Sequence, residues 1–313
     1  MTKIEILQVG PYPEWDERPL NETYRVHRFF ETKDKDAFLR DVGGAIRGVA
    51  CRGESVVSRS MIDRMPKLEV ISVYGVGYDG VDLDACRERG VRITNTPRIL
   101  AKDVADLAVA MLLALGRGVV PADEWVRNRS WKNIGPFPLQ RRIHGLRAGV
   151  LGLGQIGNEV ARRLQGFDMP VSYYSRTRKD TEWEYVNDPV TLASRVDVLF
   201  VTLAASAQTR HIVDQKVLAA LGPEGLLVNV SRAANVDEEA LLNALESKGI
   251  AGAALDVFND EPDVNARFLT LPNVVLQPHQ GSGTLETRKA MGQLMRDNLD
   301  AHFSGRPLLT PVL

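Results

Sequence analysis

Short apolar runs rich in valine and isoleucine alternate with stretches of helical periodicity along almost the whole chain. That alternation predicts α/β architecture with parallel sheets, because a parallel strand is reached only through a crossover, usually a helix. In the first part the candidate strands are IEILQVG, AIRGVACR, LEVISVYG and VRITNT. Between the last two, VDLDACRERG reads as a helix, with Asp82 placed to cap its first turn. The stretch AKDVADLAVAMLLALGRG is apolar nearly all round, which predicts a buried helix. NRSWKNIGPFPLQRRIHG, polar and proline-bearing, reads as a loop and a boundary. A second series follows: AGVLGLG, PVSYYS, VDVLFVTL, GLLVNVS, IAGAALDVF and NVVLQPH. Its number and spacing match a doubly wound dinucleotide fold, for which the first series is too short. A helix from about Thr284 to Phe303 and the tail RPLLTPVL close the chain.

Composition narrows the function. A chain of 313 residues exceeds one small core, so two domains are expected. A net charge of −1 leaves no global field to draw nucleic acid or a membrane, so any anion site must be local. Cys51 and Cys86 are isolated and form neither a disulfide framework nor a zinc set. Reduced thiols in a cytoplasmic protein are the expectation. No signal pattern opens the chain, no apolar run approaches membrane-spanning length, and the scattered histidines predict no metal site.

The pattern GxGxxG occurs twice, as Gly75, Gly77 and Gly80 in YGVGYDG and as Gly152, Gly154 and Gly157 in LGLGQIG. Context separates them. The first is followed by a short helix and a strand ending in TNTP, with no partner for a ribose. After the second, a helix runs through IGNEVARRLQGF, and its N-terminus, opened by Gln155 and Ile156, can face a pyrophosphate. The strand PVSYYS then delivers Ser175, Arg176, Thr177, Arg178 and Lys179 where the ribose hydroxyls should lie. An acidic residue at that point would accept from the 2′-OH of NAD and repel the 2′-phosphate of NADP. Arginine does the reverse. NADP(H) is therefore the expected cofactor, with Arg176 the main contact and Ser175 and Thr177 neutral donors.

Three segments, NVSRAANVDEEAL, ALDVFNDEP and LQPHQGSGT, each put one polar residue at a strand end: Arg232, Glu261 and His279. Singly, each has an ordinary structural explanation. Beside a dinucleotide turn the set suits reduction of a 2-ketoacid. Arg232 offers a bidentate partner for the carboxylate. His279 can donate a proton to the carbonyl oxygen as hydride arrives. Glu261 can hold the imidazolium.

These segments, together with GVGYDGVDLDACRERGVRITNTP and VADLAVAMLLAL, resemble the D-2-hydroxyacid dehydrogenase family over nearly the whole chain. NLDAHFSGRPLLTPVL and PHQGSGT look most like its NADPH-dependent glyoxylate/hydroxypyruvate reductases and hydroxyphenylpyruvate reductases. The resemblance implies two Rossmann-like domains. A doubly wound NADP-binding domain, residues 99–283, would be inserted into a smaller flavodoxin-like substrate domain, residues 1–98 and 284–313. It implies cofactor contacts at Gly152, Gly154, Gln155, Ile156 and Gly157, from Ser175 to Arg178, and at Thr209, Val230, Ser231, Asp256 and Gly281. It assigns substrate binding to Tyr74, Gly75, Val76 and Gly77 with Arg232 and His279, and it implies a homodimer. Where many members carry a proline and threonines after the strand VDVLFVTL, this chain has LAASAQT, with Leu203 and Ala204. The tryptophan that some glyoxylate reductases send from a partner subunit has no counterpart near PFPLQ, and Trp131 upstream is expected to pack internally. The expected activity is reduction of small 2-ketoacids, glyoxylate and hydroxypyruvate foremost. Larger 2-ketoacids, such as ketogluconate or hydroxyphenylpyruvate with Tyr74 and Phe137 lining a roomier pocket, are the alternative. A non-catalytic dinucleotide sensor is the other.

Overall fold

A computed structural model describes residues 3–313. The chain divides into two compact units, one formed by the described residues up to Leu100 with Thr284–Leu313, the other by Ala101–Gly283.

The first unit holds strands β1 (Glu5–Gln8), β2 (Arg25–Arg28), β3 (Gly48–Arg52), β4 (Val70–Tyr74) and β5 (Arg92–Thr94). They form one parallel sheet in the order β2-β1-β3-β4-β5, the flavodoxin-like arrangement. β4 is buried along its whole length, which is why VISVY reads as an unbroken apolar run rather than an alternation. The helix Leu285–Phe303 packs on β4 and is fixed there by two hydrogen bonds. Ser72 Oγ donates to the Met295 carbonyl at 2.9 Å and Tyr74 OH to the Arg288 carbonyl at 2.6 Å. The tail closes on β5, where Val312 N–H donates to the Ile93 carbonyl at 2.7 Å. Both cysteines are buried and unpaired.

The second unit holds β6 (Ala148–Leu151), β7 (Val171–Tyr174), β8 (Glu184–Tyr185), β9 (Val198–Val201), β10 (Leu226–Asn229), β11 (Gly252–Leu255) and β12 (Val274–Leu276). Their order is β12-β11-β10-β9-β6-β7-β8, all parallel. Counted from β6, this is the doubly wound order with one further strand, and the order reverses between β6 and β9. Val198, Leu199, Phe200 and Val201 are fully buried at its centre. The helix Ala101–Gly116 packs against the helix Gln155–Gln165. Among the described residues no single helix is long and apolar enough to cross a membrane.

Four features depart from the sequence reading. β2 and β8 are additional strands, both at sheet edges and both short and polar. Residues 128–145 are not a boundary: they lie inside the second unit and include the short helix Ser130–Asn133. Trp131 does not pack internally but is 64% exposed.

Candidate active site

The turn after β6 needs its glycines. Gly152 has φ of 104°, and a Cβ there would lie 2.8 Å from the Leu203 backbone nitrogen. A Cβ on Gly157 would lie 2.2 Å from the Gly152 carbonyl oxygen. Thr202 Oγ1 donates to that same carbonyl at 2.7 Å, so the turn is braced from β9. Gly154 differs. It is extended, at the N-cap of the helix Gln155–Gln165, and nothing lies within 4 Å of where its Cβ would be. The helix has no side-chain cap and no acidic residue in its first turn. Its positive end and first amides are therefore presented, through Gln155 and Ile156, to whatever approaches Gly154. A pyrophosphate fits that opening.

Beyond β7 the chain makes a turn held by two tyrosine hydroxyls. Tyr173 OH accepts from Lys179 N–H at 2.7 Å, and Tyr185 OH donates to the Ser175 carbonyl at 3.3 Å. Ser175 is buried and its Oγ donates to the Thr177 carbonyl at 2.6 Å. This corrects its expected role as a neutral donor to ligand, because its hydrogen is used inside the turn. Arg176, Thr177, Arg178 and Lys179 are exposed. Among the described residues no carboxylate pairs with Arg176, Arg178 or Lys179, whereas Arg147, Arg163 and Arg195 of the same unit are all paired. Three cations without a paired carboxylate concentrate positive charge at one strand tip in a chain with almost no net charge.

The ends of β10, β11 and β12 bring together the third group. After β10, the buried Asn229 accepts from Ser231 N–H at 3.1 Å and Ser231 Oγ at 2.9 Å. Its own Nδ2 donates to the Arg232 carbonyl at 3.2 Å. The fully buried Asn235 donates to the Leu203 carbonyl at 2.9 Å and to Ser231 Oγ at 3.1 Å. These side-chain bonds fix the backbone from which half-buried Arg232 projects, with Nη1 donating to the Ser231 carbonyl at 2.9 Å. After β11, the buried Asp256 accepts from Gln280 N–H at 2.6 Å and Gly281 N–H at 2.8 Å, tying that strand end to the segment after β12. Burial pushes the Asp256 carboxyl up, against these two amides and the His279 charge.

Between them, Glu261 Oε2 lies 2.7 Å from His279 Nδ1, and Glu261 Oε1 accepts from Phe258 N–H at 2.8 Å. Burial works to raise the Glu261 carboxyl. The His279 and Phe258 hydrogen bonds, with the His279 and Arg232 charges, outweigh it and hold the carboxyl below its ordinary value. His279 adopts φ of 54°, a left-handed conformation that costs an ordinary side chain about 1–3 kcal/mol. With Nδ1 taken by Glu261, Nε2 is the nitrogen left to meet a substrate. A carboxylate-paired imidazole beside a guanidinium can protonate the carbonyl of an anionic substrate.

Other expected contacts fall out differently. Thr209 Oγ1 donates to the Ala204 carbonyl at 2.8 Å and accepts from Ser206 N–H at 2.9 Å, so it closes the LAASAQT loop. Val230 and Ser231 are buried at the strand end. In the first unit, Tyr74 is 4% exposed and its hydroxyl is engaged, so its side chain faces the interior rather than a ligand. The following loop has its carbonyls filled. Gly75 O accepts from Thr96 N–H at 2.8 Å and Val76 O from Asn95 Nδ2 at 2.8 Å. The N–H groups of Val76 and Gly77 have no partner among the described residues. Asn229 and Asn235 were not singled out from sequence. Their signal was present in NVSRAAN, since an asparagine two residues before a loop amide is the pattern of a side-chain turn.

Residues 109–281 match the family described as D-isomer specific 2-hydroxyacid dehydrogenase, NAD binding domain. The chain is 44% identical to hydroxyphenylpyruvate reductase of Plectranthus scutellarioides, over all of both chains. It is 40% identical to 2-ketogluconate reductase of Gluconobacter oxydans, covering 100% of this chain and 99% of the other. Among solved structures it resembles the NADPH-dependent glyoxylate/hydroxypyruvate reductase of Sinorhizobium meliloti in complex with NADP and malonate. There the TM-score is 0.92 and the identity 38%, with 99% of this chain and 97% of that one covered.

Proposed function

The chain belongs to the D-isomer specific 2-hydroxyacid dehydrogenase family, and on that premise we propose that it reduces small 2-ketoacids, glyoxylate and hydroxypyruvate foremost, to D-2-hydroxyacids with NADPH. The observation that carries this reading is the 2.7 Å pairing of His279 with Glu261, with the Arg232 charge acting on the same carboxylate. Bound NADPH supplies the hydride. Arg232 binds the substrate carboxylate and polarises the carbonyl. His279 donates its Nε2 proton to the carbonyl oxygen as negative charge develops there, and Glu261 holds the ring in place. Within the first unit the open amides of Val76 and Gly77 suit a small anion, and within the second Gly152, Gly154 and Gly157 admit the pyrophosphate. The unpaired Arg176, Arg178 and Lys179 support the choice of NADPH over NADH.

Two observations weigh against an aromatic substrate. Tyr74 is turned inward, and Phe137 is engaged edge-on with Trp125 at a centroid distance of 5.8 Å. The Arg232–Glu261–His279 cluster weighs against a sensor. Val119, Val120, Val126, Trp131 and Ile134 expose apolar side chains on or beside the helices Val119–Arg127 and Ser130–Asn133, which supports a homodimer through this face. The two unpaired, buried thiols are in keeping with a cytoplasmic protein.

His279→Ala tests the reading. Turnover of glyoxylate and hydroxypyruvate should fall by about 100-fold or more, with the NADPH dissociation constant nearly unchanged. Wild-type turnover in the variant would remove His279 from the chemistry.

A further inference from the structure

The turn that carries Arg176 and Arg178 has little in its own backbone to hold it. Residues 175–179 include neither glycine nor proline, and none of them has positive φ. Among the described residues no backbone–backbone hydrogen bond joins any two of them. All but Ser175 are exposed. Such a span keeps one conformation only where side chains offset the entropy of ordering it. Tyr173 on β7 is fully buried, and its OH accepts from Lys179 N–H at 2.7 Å and donates to the Lys179 carbonyl at 3.2 Å. A phenol can donate and accept at once, so one oxygen binds both backbone groups of Lys179. The Tyr173 ring stands in register with Tyr185 on β8, at a centroid distance of 5.5 Å. Tyr185 OH holds the other end of the turn, at the Ser175 carbonyl, at 3.3 Å. Ser175 Oγ closes the first half from within, donating to the Thr177 carbonyl at 2.6 Å. Arg176 and Arg178 therefore leave a short span that two neighbouring strands pin at both ends.

Resting on the NADPH reading above, we propose that Tyr173 is a positioning residue for cofactor selectivity. Its hydroxyl sets the backbone of the turn before ligand arrives, so that Arg176 and Arg178 meet the 2′-phosphate from a fixed base. A guanidinium grips phosphate through a planar fork, and the grip depends on the direction in which the side chain leaves the backbone. A loose span would be ordered only at the moment of binding, which lowers affinity. NADH lacks the 2′-phosphate and makes no use of the arrangement. The hydroxyl therefore acts on one cofactor and not on the other, which a general contribution to folding would not do.

Tyr173→Phe removes one oxygen and keeps the buried ring. In a titration of nicotinamide fluorescence the NADPH dissociation constant should rise by about tenfold, while that of NADH changes by less than about twofold. With hydroxypyruvate the loss should appear in KM for NADPH and not in kcat. Equal weakening of both cofactors, or an unchanged NADPH constant, overturns the inference. Tyr185→Phe, at the other end of the turn, should act in the same direction by about threefold, and it carries the test if Tyr173→Phe does not fold. The wild type gives a check without any variant. In the cofactor-free protein the Lys179 amide should exchange with deuterium about 100-fold or more slowly than an open amide, and exchange at the open rate overturns the inference. Wild-type binding of NADPH no tighter than NADH, or a ratio unchanged in Arg176→Ala, sinks the cofactor reading and this inference with it. A ratio that falls in Arg176→Ala but not in Tyr173→Phe sinks this inference alone.

Discussion

The two GxGxxG turns share their glycine spacing and each follows a parallel strand, yet the helices that follow them open differently. After Gly152 the helix starts at once, at Gln155, behind a bare glycine N-cap. After Gly75 the next helix starts only at Leu83, and Asp82 caps it by accepting from Ala85 N–H at 2.8 Å. An acidic side chain over a helix N-terminus occupies the place where a phosphate would be attracted and repels it. In that turn the open donors are instead the loop amides of Val76 and Gly77, suited to a small carboxylate. What separates the two turns is therefore the residue that opens the following helix, a bare Gly154 in one and Asp82 in the other.

Substitutions can break this contrast. The largest effect is expected from Gly157→Ala, whose Cβ would lie 2.2 Å from a backbone oxygen that cannot give way. Displacing the turn should weaken NADPH binding on the order of 100-fold, read by titration of nicotinamide fluorescence. Gly154→Ala meets no atom and should leave the thermal midpoint unchanged, yet its methyl group fills the opening. NADPH affinity should fall about tenfold, an effect on the ligand without one on the fold. Gly80→Ala should do the opposite. Its Cβ would lie 2.3 Å from the Ser55 carbonyl, which predicts a loss of about 1–3 kcal/mol with NADPH affinity intact. Asp82→Ala, the mildest, removes a helix cap and should cost about 1 kcal/mol, again with no change in cofactor binding. If Gly80→Ala or Asp82→Ala loosened NADPH, the two turns would not be functionally separate.

Much of the fold was legible because buried parallel strands are apolar along their length and stand out from any context. VISVY and VLFV needed no partner to be recognised. RVHR at β2 and EY at β8 did not stand out. An edge strand buries little, and its identity comes from pairing with residues far away in sequence, as Glu5 pairs with Arg25. Asp82 as a cap was legible because capping is local. Arg232, Glu261 and His279 were legible as chemistry at strand ends, but the support under them was not. Asn235 reaches Leu203, 32 residues away, and Asp256 reaches Gly281, 25 residues away. Ser175 and Tyr74 show the converse: residue types suited to ligand contact, placed at the right strand ends, whose side chains are engaged inside their own unit.

If the turn after β6 and the cations after β7 together select NADPH for 2-ketoacid reduction, the most direct measurement is the initial rate of hydroxypyruvate reduction with NADPH and with NADH side by side, in the wild type and in Arg176→Ala. A strong preference for NADPH that falls by about tenfold in the variant, through KM for the cofactor, is the expected result. Equal or better use of NADH by the wild type would mean that the exposed arginines face only solvent and do not select the cofactor.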